Sequence, residues 1–460
     1  MSELRSLLLI LCVAAVVAGV GAIQEVDQIS LWILAFVDQL PPFAWLKPYQ
    51  LPPPANSEYG FRPISVLMLK LYIYFFGAKA LPPLWVLFLK AWLSASLLGF
   101  ASWRWLRIQG MQKPALPVAC MTILLSPHLF GLWSLAELDG LGAASILGVS
   151  ILLAKPDRVY VENLSLGILI AFSALLKESS ALLLFAIMAA EVWISVRKKE
   201  NWKPRLYWLG VSVFIWLVWA SPLIFGLKSN VGAAPWQLRI PLVGFTAWQL
   251  LFFASVPGVC LLLSSVVKRP WLPTILGVSL FFLPPMVWIN HYETIYFSPL
   301  WIGVVFSILL YGALFYIAFG PKQRPKQAGV ALRILAAKGA LITALLLSSS
   351  PREDLATRIF LPVAPMLMAL IMHRNKGYVS RWDRYAARFL WISCCWFWIG
   401  NGINGVIERR AREPLHRKGL VSLVEEPMEK GMVLFNNFAY RLGPESLQTL
   451  RPDASVPDIV

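Results

Sequence analysis

Residues 164–196 form an apolar run that is broken near its middle by Lys177 and Glu178 and again near its end by Glu191. As a single helix, at about 1.5 Å per residue, it would reach about 50 Å. The hydrocarbon core of a bilayer is only about 30 Å thick, so the run has to fold back. The turn is expected at Lys177–Ser180, because each full charge at mid-bilayer costs about 3 kcal/mol or more, whereas at an interface it is solvated. Two helices, 161–176 and 179–196, therefore form a tight hairpin in this reading. The far end of the second helix runs into RKKENWKPR, residues 197–205. Basic clusters stay on the cytoplasmic side, which assigns Lys177 and Glu178 to the extracytoplasmic face.

Composition extends this reading to the whole chain. Of 460 residues 58% are hydrophobic and only 14% charged, which is far from a soluble domain. The formal net charge of +17 sits in short clusters between apolar runs and not on one basic domain. It reads as a topology signal, and no nucleic-acid partner is expected. The fold class expected is an all-α polytopic membrane protein with about 13 transmembrane helices. The spans are 5–23, 84–103, 114–127, 140–154, 161–176, 179–196, 206–226, 243–266, 272–289, 299–319, 332–350, 358–373 and 388–405. The inner connections are then WRWLRIQGMQK, AKPDR, RKKENWKPR, KRP, GPKQRPKQ and HRNKGYVSRWDRYAAR, which hold most of the basic side chains. Cys12, Cys120, Cys260, Cys394 and Cys395 all lie in apolar runs without metal-ligand spacing, so they are expected as packing residues.

FRPISVLMLKLYIYFFG, residues 61–77, is apolar enough to be counted, yet a crossing there would put every later basic cluster outside. It is assigned as a helix lying in or dipping into the outer interface, as is 29–46, which Asp38 and two prolines break. Residues 24–83 become a long, membrane-hugging first extracytoplasmic loop within a transmembrane domain of residues 1–405. The N-terminal run has a rival reading as a cleavable signal peptide, against which stand its length and the parity that a retained span supplies. The short polar tail, 406–460, is placed outside. Lys70, Lys90, Glu191 and Lys338 are the few ionisable residues inside apolar stretches, and all are long enough to snorkel.

The outer face collects acids and bases. Glu25 and Asp27 follow the first span, Glu58 and Arg62 precede the interfacial helix, and His128, Glu137 and Asp139 surround the end of span three. Lys177 and Glu178 form the hairpin tip, His291 and Glu293 lie between spans nine and ten, and Arg352, Glu353, Asp354 and Arg358 complete the set. Such a set suits a site where a carboxylate takes a proton from an acceptor while cations hold a phosphate leaving group.

In their order along the chain these segments resemble those of the GT-C membrane glycosyltransferases, which include protein O-mannosyltransferases and the transferases that add aminoarabinose to lipid A. EVD at 25–27 resembles the first-loop acidic motif, and FRPISVLMLKLYIYFFG the Arg-Pro segment along the membrane. SPHLFGLWSLAELDGLGAASILGVSILL, 126–153, is similar to the Pro/His turn followed by an acidic residue opening the next span. LLKESSALLL matches the Lys-Glu turn, and HYETIYFSPLWIG and REDLATRIFLPVAP look like the later span openings.

The resemblance implies an inverting hexosyl- or pentosyltransferase in the plasma (inner) membrane, active on the extracytoplasmic side. Its donor would be a polyprenyl-phosphate sugar, and its acceptor a lipid, a glycan or a protein. By carry-over Asp27 is the catalytic base or acceptor-orienting carboxylate and Glu25 its partner, although Val26 separates a pair that is usually adjacent. Lys177, Arg62, Arg352 and Arg358 are the candidates for the donor phosphate. His128, Glu137, Asp139, Glu178, His291 and Glu293 would bind substrate or organise the site. Asp139 with His128 matches a position that in some members serves a divalent cation, while the sequence itself shows no metal site and no other cofactor.

Plainer roles compete with each assignment. Asp27 also reads as a solvated loop charge, Lys177 and Glu178 as interface anchors, and Arg352 and Arg358 as part of a surface charge cluster. Two other functions share the pattern of spans: a polysaccharide polymerase or ligase using the same lipid carriers, and a transporter of lipid-linked sugars, which would carry ionisable groups at mid-span.

Overall fold

The computed structural model of the protein describes residues 3–24, 37–38, 63–77, 83–112, 115–124, 138–155, 160–176, 178–226, 312, 314–320, 325–347 and 366. Among the described residues the structure is all helical, without a strand. The helices are α1 (Glu3–Gln24), α2 (Pro63–Phe76), α3 (Leu84–Ile108), α4 (Ala115–Leu124), α5 (Asp139–Leu153), α6 (Tyr160–Leu176), α7 (Glu178–Arg197), α8 (Lys203–Gly226) and α9 (Pro325–Leu347). Seven of the expected spans thus coincide with α1 and α3–α8, and an eighth overlaps α9. Spans 243–266, 272–289 and 388–405, almost all of 358–373, the first part of 299–319 and the tail 406–460 lie outside the described residues.

Local chemistry sets several helix boundaries. Pro63 and Pro325 open α2 and α9, where the missing N–H is harmless and the fixed φ favours a helix. α3 ends in a left-handed turn at Gly110 (φ 83°), with Gly110 N–H donating to Arg107 O at 2.9 Å and Met111 N–H to Leu106 O at 3.1 Å. α7 closes in the same way on Lys199 (φ 58°), with Glu200 N–H donating to Ser195 O at 2.9 Å. There a side chain occupies a conformation that glycine adopts without cost.

The cross-helix contacts define the topology. Trp92 Nε1 donates to Leu11 O at 3.0 Å, and Arg107 Nη1 meets Glu3 Oε1 at 2.6 Å, so α1 and α3 run antiparallel. The Ser145 and Ser173 hydroxyls are 2.6 Å apart, and the Cα of Gly142 faces Leu176, which makes α5 and α6 antiparallel. Gly142 also faces Ser180, and Ser150 Oγ donates to Glu191 Oε1 at 2.8 Å, so α5 and α7 are parallel. The chain therefore reverses between Leu176 and Glu178, at the place the two charges mark in the sequence.

α5 sits at the centre, against α3, α6 and α7. Most of it is buried, including Ala143, Ser145, Ile146, Leu147, Val149 and Ser150, as befits a helix that is apolar all round. Small residues let the backbones close up. A methyl group at Gly99 of α3 would lie 2.5 Å from Ile123 Cδ1 of α4 and 2.8 Å from Ile10 Cγ2 of α1. α9 packs on α7.

The outward faces stay apolar. On α3, Trp85, Leu89, Leu93, Leu97 and Phe100 are exposed at nearly helical spacing, as are Leu164 and Ile168 on α6 and Phe214, Leu217 and Val218 on α8. Two helices, over Trp85–Ile108 and Ser180–Arg197, are long and apolar enough to cross a membrane.

Candidate functional site

The bundle has two chemically different ends. At one end the basic connections converge: Glu3 pairs with Arg107 and more distantly with Arg104, and Lys155 with Glu162. Arg205 pairs with Glu200 and donates to Leu153 O at 3.3 Å, while Arg197 donates to Ala318 O at 2.6 Å. The Arg107 hydrogen bond, then its charge, holds the exposed Glu3 carboxyl below the usual carboxylate range. The three basic connections that follow α3, α5 and α7, and the start of α9, therefore share this end, as the alternation of charge along the sequence requires.

The other end gathers the helix termini that flank the candidate residues. α1 ends at Gln24, α5 opens at Asp139, α6 ends at Leu176 and α7 opens at Glu178. Because α5 and α7 are parallel, their N-termini point the same way, and the aligned peptide dipoles leave partial positive charge there. α2 joins this end at its own start, where Ser65 Oγ donates to Leu176 O at 3.1 Å. That bond satisfies a carbonyl which the end of α6 leaves without an intrahelical partner. Lys70 of α2 is half-buried and donates to Asp38 O at 3.2 Å. Burial pushes its amine down, against the opposing pull of Asp38.

This end is stepped. Trp105, Ser150, Glu191 and Arg333 are linked side chain to side chain and so stand at one level. Counted from that level, α3 runs on past the starts of α5 and α7 by about 8 to 10 residues, or about 12–15 Å. α2 begins at the lower level beside Leu176 and ends at the tip of α3, where the Phe76 and Trp85 rings meet edge to face at 5.6 Å.

Of the residues singled out in the sequence, Asp139 and Glu178 are brought together as the first residues of two adjacent parallel helices. Their helical backbone is described, and their side chains are not. Glu25, Asp27, Arg62, His128, Glu137, Lys177, His291, Glu293, Arg352 and Arg358 lie outside the described residues. Among the described residues no group of three or more His, Cys, Asp or Glu side chains is arranged to hold a metal ion.

The sequence reading missed the most heavily bonded polar cluster in the described bundle. Glu191 is long enough to snorkel, yet it is 3% exposed. Arg333, which is 6% exposed, grips it with two bonds, Nε to Oε1 at 2.7 Å and Nη2 to Oε2 at 2.9 Å. Ser150 Oγ adds a third, and Trp105 Nε1 donates to Ser150 Oγ at 3.1 Å. The Arg333 guanidinium also stands 5.9 Å from the Trp105 ring centre. One signal was available in the sequence for one partner: Glu191 lies within an expected span, and a charge so placed needs a partner or water.

No family model matches the chain, and neither a curated protein nor a solved structure matches it at a significant level.

Proposed function

We propose that the protein is a GT-C-like membrane glycosyltransferase that moves a sugar from a polyprenyl-phosphate donor to a lipid, glycan or protein acceptor on the extracytoplasmic side. The observation that carries this reading is the sorting of the helix ends. The basic connections lie at one end of the bundle, and Asp139, Glu178 and the termini next to Glu25, Arg62 and Lys177 lie at the other. The outward apolar lines of α3, α6 and α8 support a bilayer around the bundle, since soluble monomers rarely expose contiguous apolar patches. With the basic end in the cytoplasm, the opposite end faces the leaflet where a flipped lipid-linked sugar is held.

In this mechanism Asp27 takes the proton from the acceptor hydroxyl as that oxygen attacks the anomeric carbon. Lys177, with Arg62, Arg352 and Arg358 as further candidates, neutralises the polyprenyl phosphate that leaves.

A second reading, transport of the lipid-linked sugar, draws support from Glu191 and Arg333, because ionisable groups inside a membrane bundle mark transport paths. Both oxygens of this carboxylate are already engaged, however, and that favours a fixed pair over a titrating carrier. Incubation of the purified protein and its Asp27→Ala variant with polyprenyl-phosphate sugars separates the two readings. The native chain should release polyprenyl phosphate, and the variant should do so about 10²- to 10⁴-fold more slowly. Equal rates would remove Asp27 from the chemistry, and movement of intact donor without release would establish transport.

A further inference from the structure

The Trp105, Ser150, Glu191 and Arg333 side chains come from α3, α5, α7 and α9 and close a ring of polar contacts across four helices. Three of the four belong to the first half of the chain. The fourth is separated from Glu191 by 142 positions. Among the described helices α9 packs chiefly on α7, and small residues are frequent along its buried part. Ala328, Val330, Ala331 and Ala337 are buried and Gly329 faces Ile194 of α7, and apolar packing of such small side chains distinguishes one helical turn from the next only weakly. The bidentate pair does distinguish them. A slide of one turn, about 5.4 Å, would leave a guanidinium and a carboxylate buried and unpaired, a state far costlier than lost packing.

We propose that Glu191 and Arg333 form the register lock of the fold: the pair, closed by Ser150 and Trp105, selects the single position at which α9 docks on the first-half bundle. Arg333 is a positioning residue in this assignment and takes no part in chemistry. The lock lies on α7 about 20 Å from the helix start at Glu178, so the inference stands whatever reaction the opposite end performs.

Disulfide cross-linking in the full-length chain, in native membranes and in a cysteine-free background, tests it. Gly329 of α9 faces Ile194 of α7, with the Ile194 side chain 3.6 Å from the place a Cβ would take. Ile194→Cys should therefore cross-link to Gly329→Cys in preference to Lys326→Cys or Leu332→Cys, the neighbours one turn away on α9. Adding Arg333→Met should lower the 194–329 yield at least about tenfold, and the exchange Glu191→Arg with Arg333→Glu should restore it. The apolar double variant Glu191→Met with Arg333→Leu guards against simple misfolding, because matched apolar replacements of a buried pair are often well tolerated. Accumulation of that variant with cross-links spread over 326, 329 and 332 would support the lock. A cross-link confined to 329, with native yield, would overturn it.

Discussion

The two ends of the bundle use charge in opposite ways. At the basic end the described acids are paired: Glu3 with Arg107, Glu162 with Lys155, Glu200 with Arg205, and the deeper Glu191 with Arg333. These pairs tie neighbouring segments together, and in the Glu191 pair both carboxylate oxygens are engaged. At the other end, the described helix contacts involve hydroxyls, backbone carbonyls and glycines, with the Lys70 amine and the Phe76 and Trp85 rings on α2 and α3. Ser65 caps Leu176, Ser145 meets Ser173, and Gly142 lets α5 close on Ser180. Asp139 and Glu178 open α5 and α7 there, and the other candidate acids and bases lie outside the described residues. A buried, bonded pair such as Glu191 and Arg333 serves stability, whereas the proposed function assigns the charges of the opposite end to a substrate.

This contrast can be broken most sharply by exchanging readouts between the ends. Arg333→Met strands the Glu191 carboxylate among apolar neighbours and should cost about 3–5 kcal/mol, read as early loss of the monodisperse peak when the detergent-solubilised protein is heated. Asp27→Ala should leave that peak in place while slowing release of polyprenyl phosphate about 10²- to 10⁴-fold. If instead Asp27→Ala collapses the fold and Arg333→Met does not, the division of labour proposed here is wrong. A smaller effect tests the apolar side of the comparison. Gly99→Val forces a branched side chain against Ile10 and Ile123, and overpacking of this kind costs about 1–3 kcal/mol, measurable by the same heating experiment. The smallest effect is electrostatic. The Glu3 carboxyl is held below its ordinary range by Arg107, so its contribution is present above the unfolded carboxylate pKa and is lost as pH falls through the lowered one. Glu3→Gln should remove that acid-side change, and added salt should mimic the substitution, because the pair is exposed and screened.

Much of the fold was legible in the sequence because hydropathy and charge are one-dimensional signals. The expected hairpin 161–176 and 179–196 matches α6 and α7 to within one or two residues, since a charged pair in an apolar run has to sit at a turn. The expected span 84–103 falls short of the true end of α3 at Ile108. Arg104 and Arg107 look like a boundary in the sequence, but they find Glu3 on the neighbouring helix and the α-helix continues past them. Residues 61–77 are expected as an interfacial helix from their apolar content and the alternation of basic clusters, and α2 is found at Pro63–Phe76. Its climb from Leu176 to Trp85 could not be expected, because it depends on α5, α6 and α7 stopping short of the tip of α3. The candidate site was legible only as a set of residue types on a common side, since proximity among loops is a property of the folded bundle and has no period in the chain.

The sequence by itself determined the helical class, the place where the chain turns back and the sorting of basic connections to one end. Each of these follows from the free energy of moving a residue between water and an apolar medium, which is a property of short segments. Only the tertiary structure decided that Glu191 points inward to Arg333, that Gly99 is the contact point of three helices and that α3 outreaches α5 and α7. Those outcomes rest on which side chains meet across the bundle, and pairing at a separation of 142 positions leaves no trace in local composition.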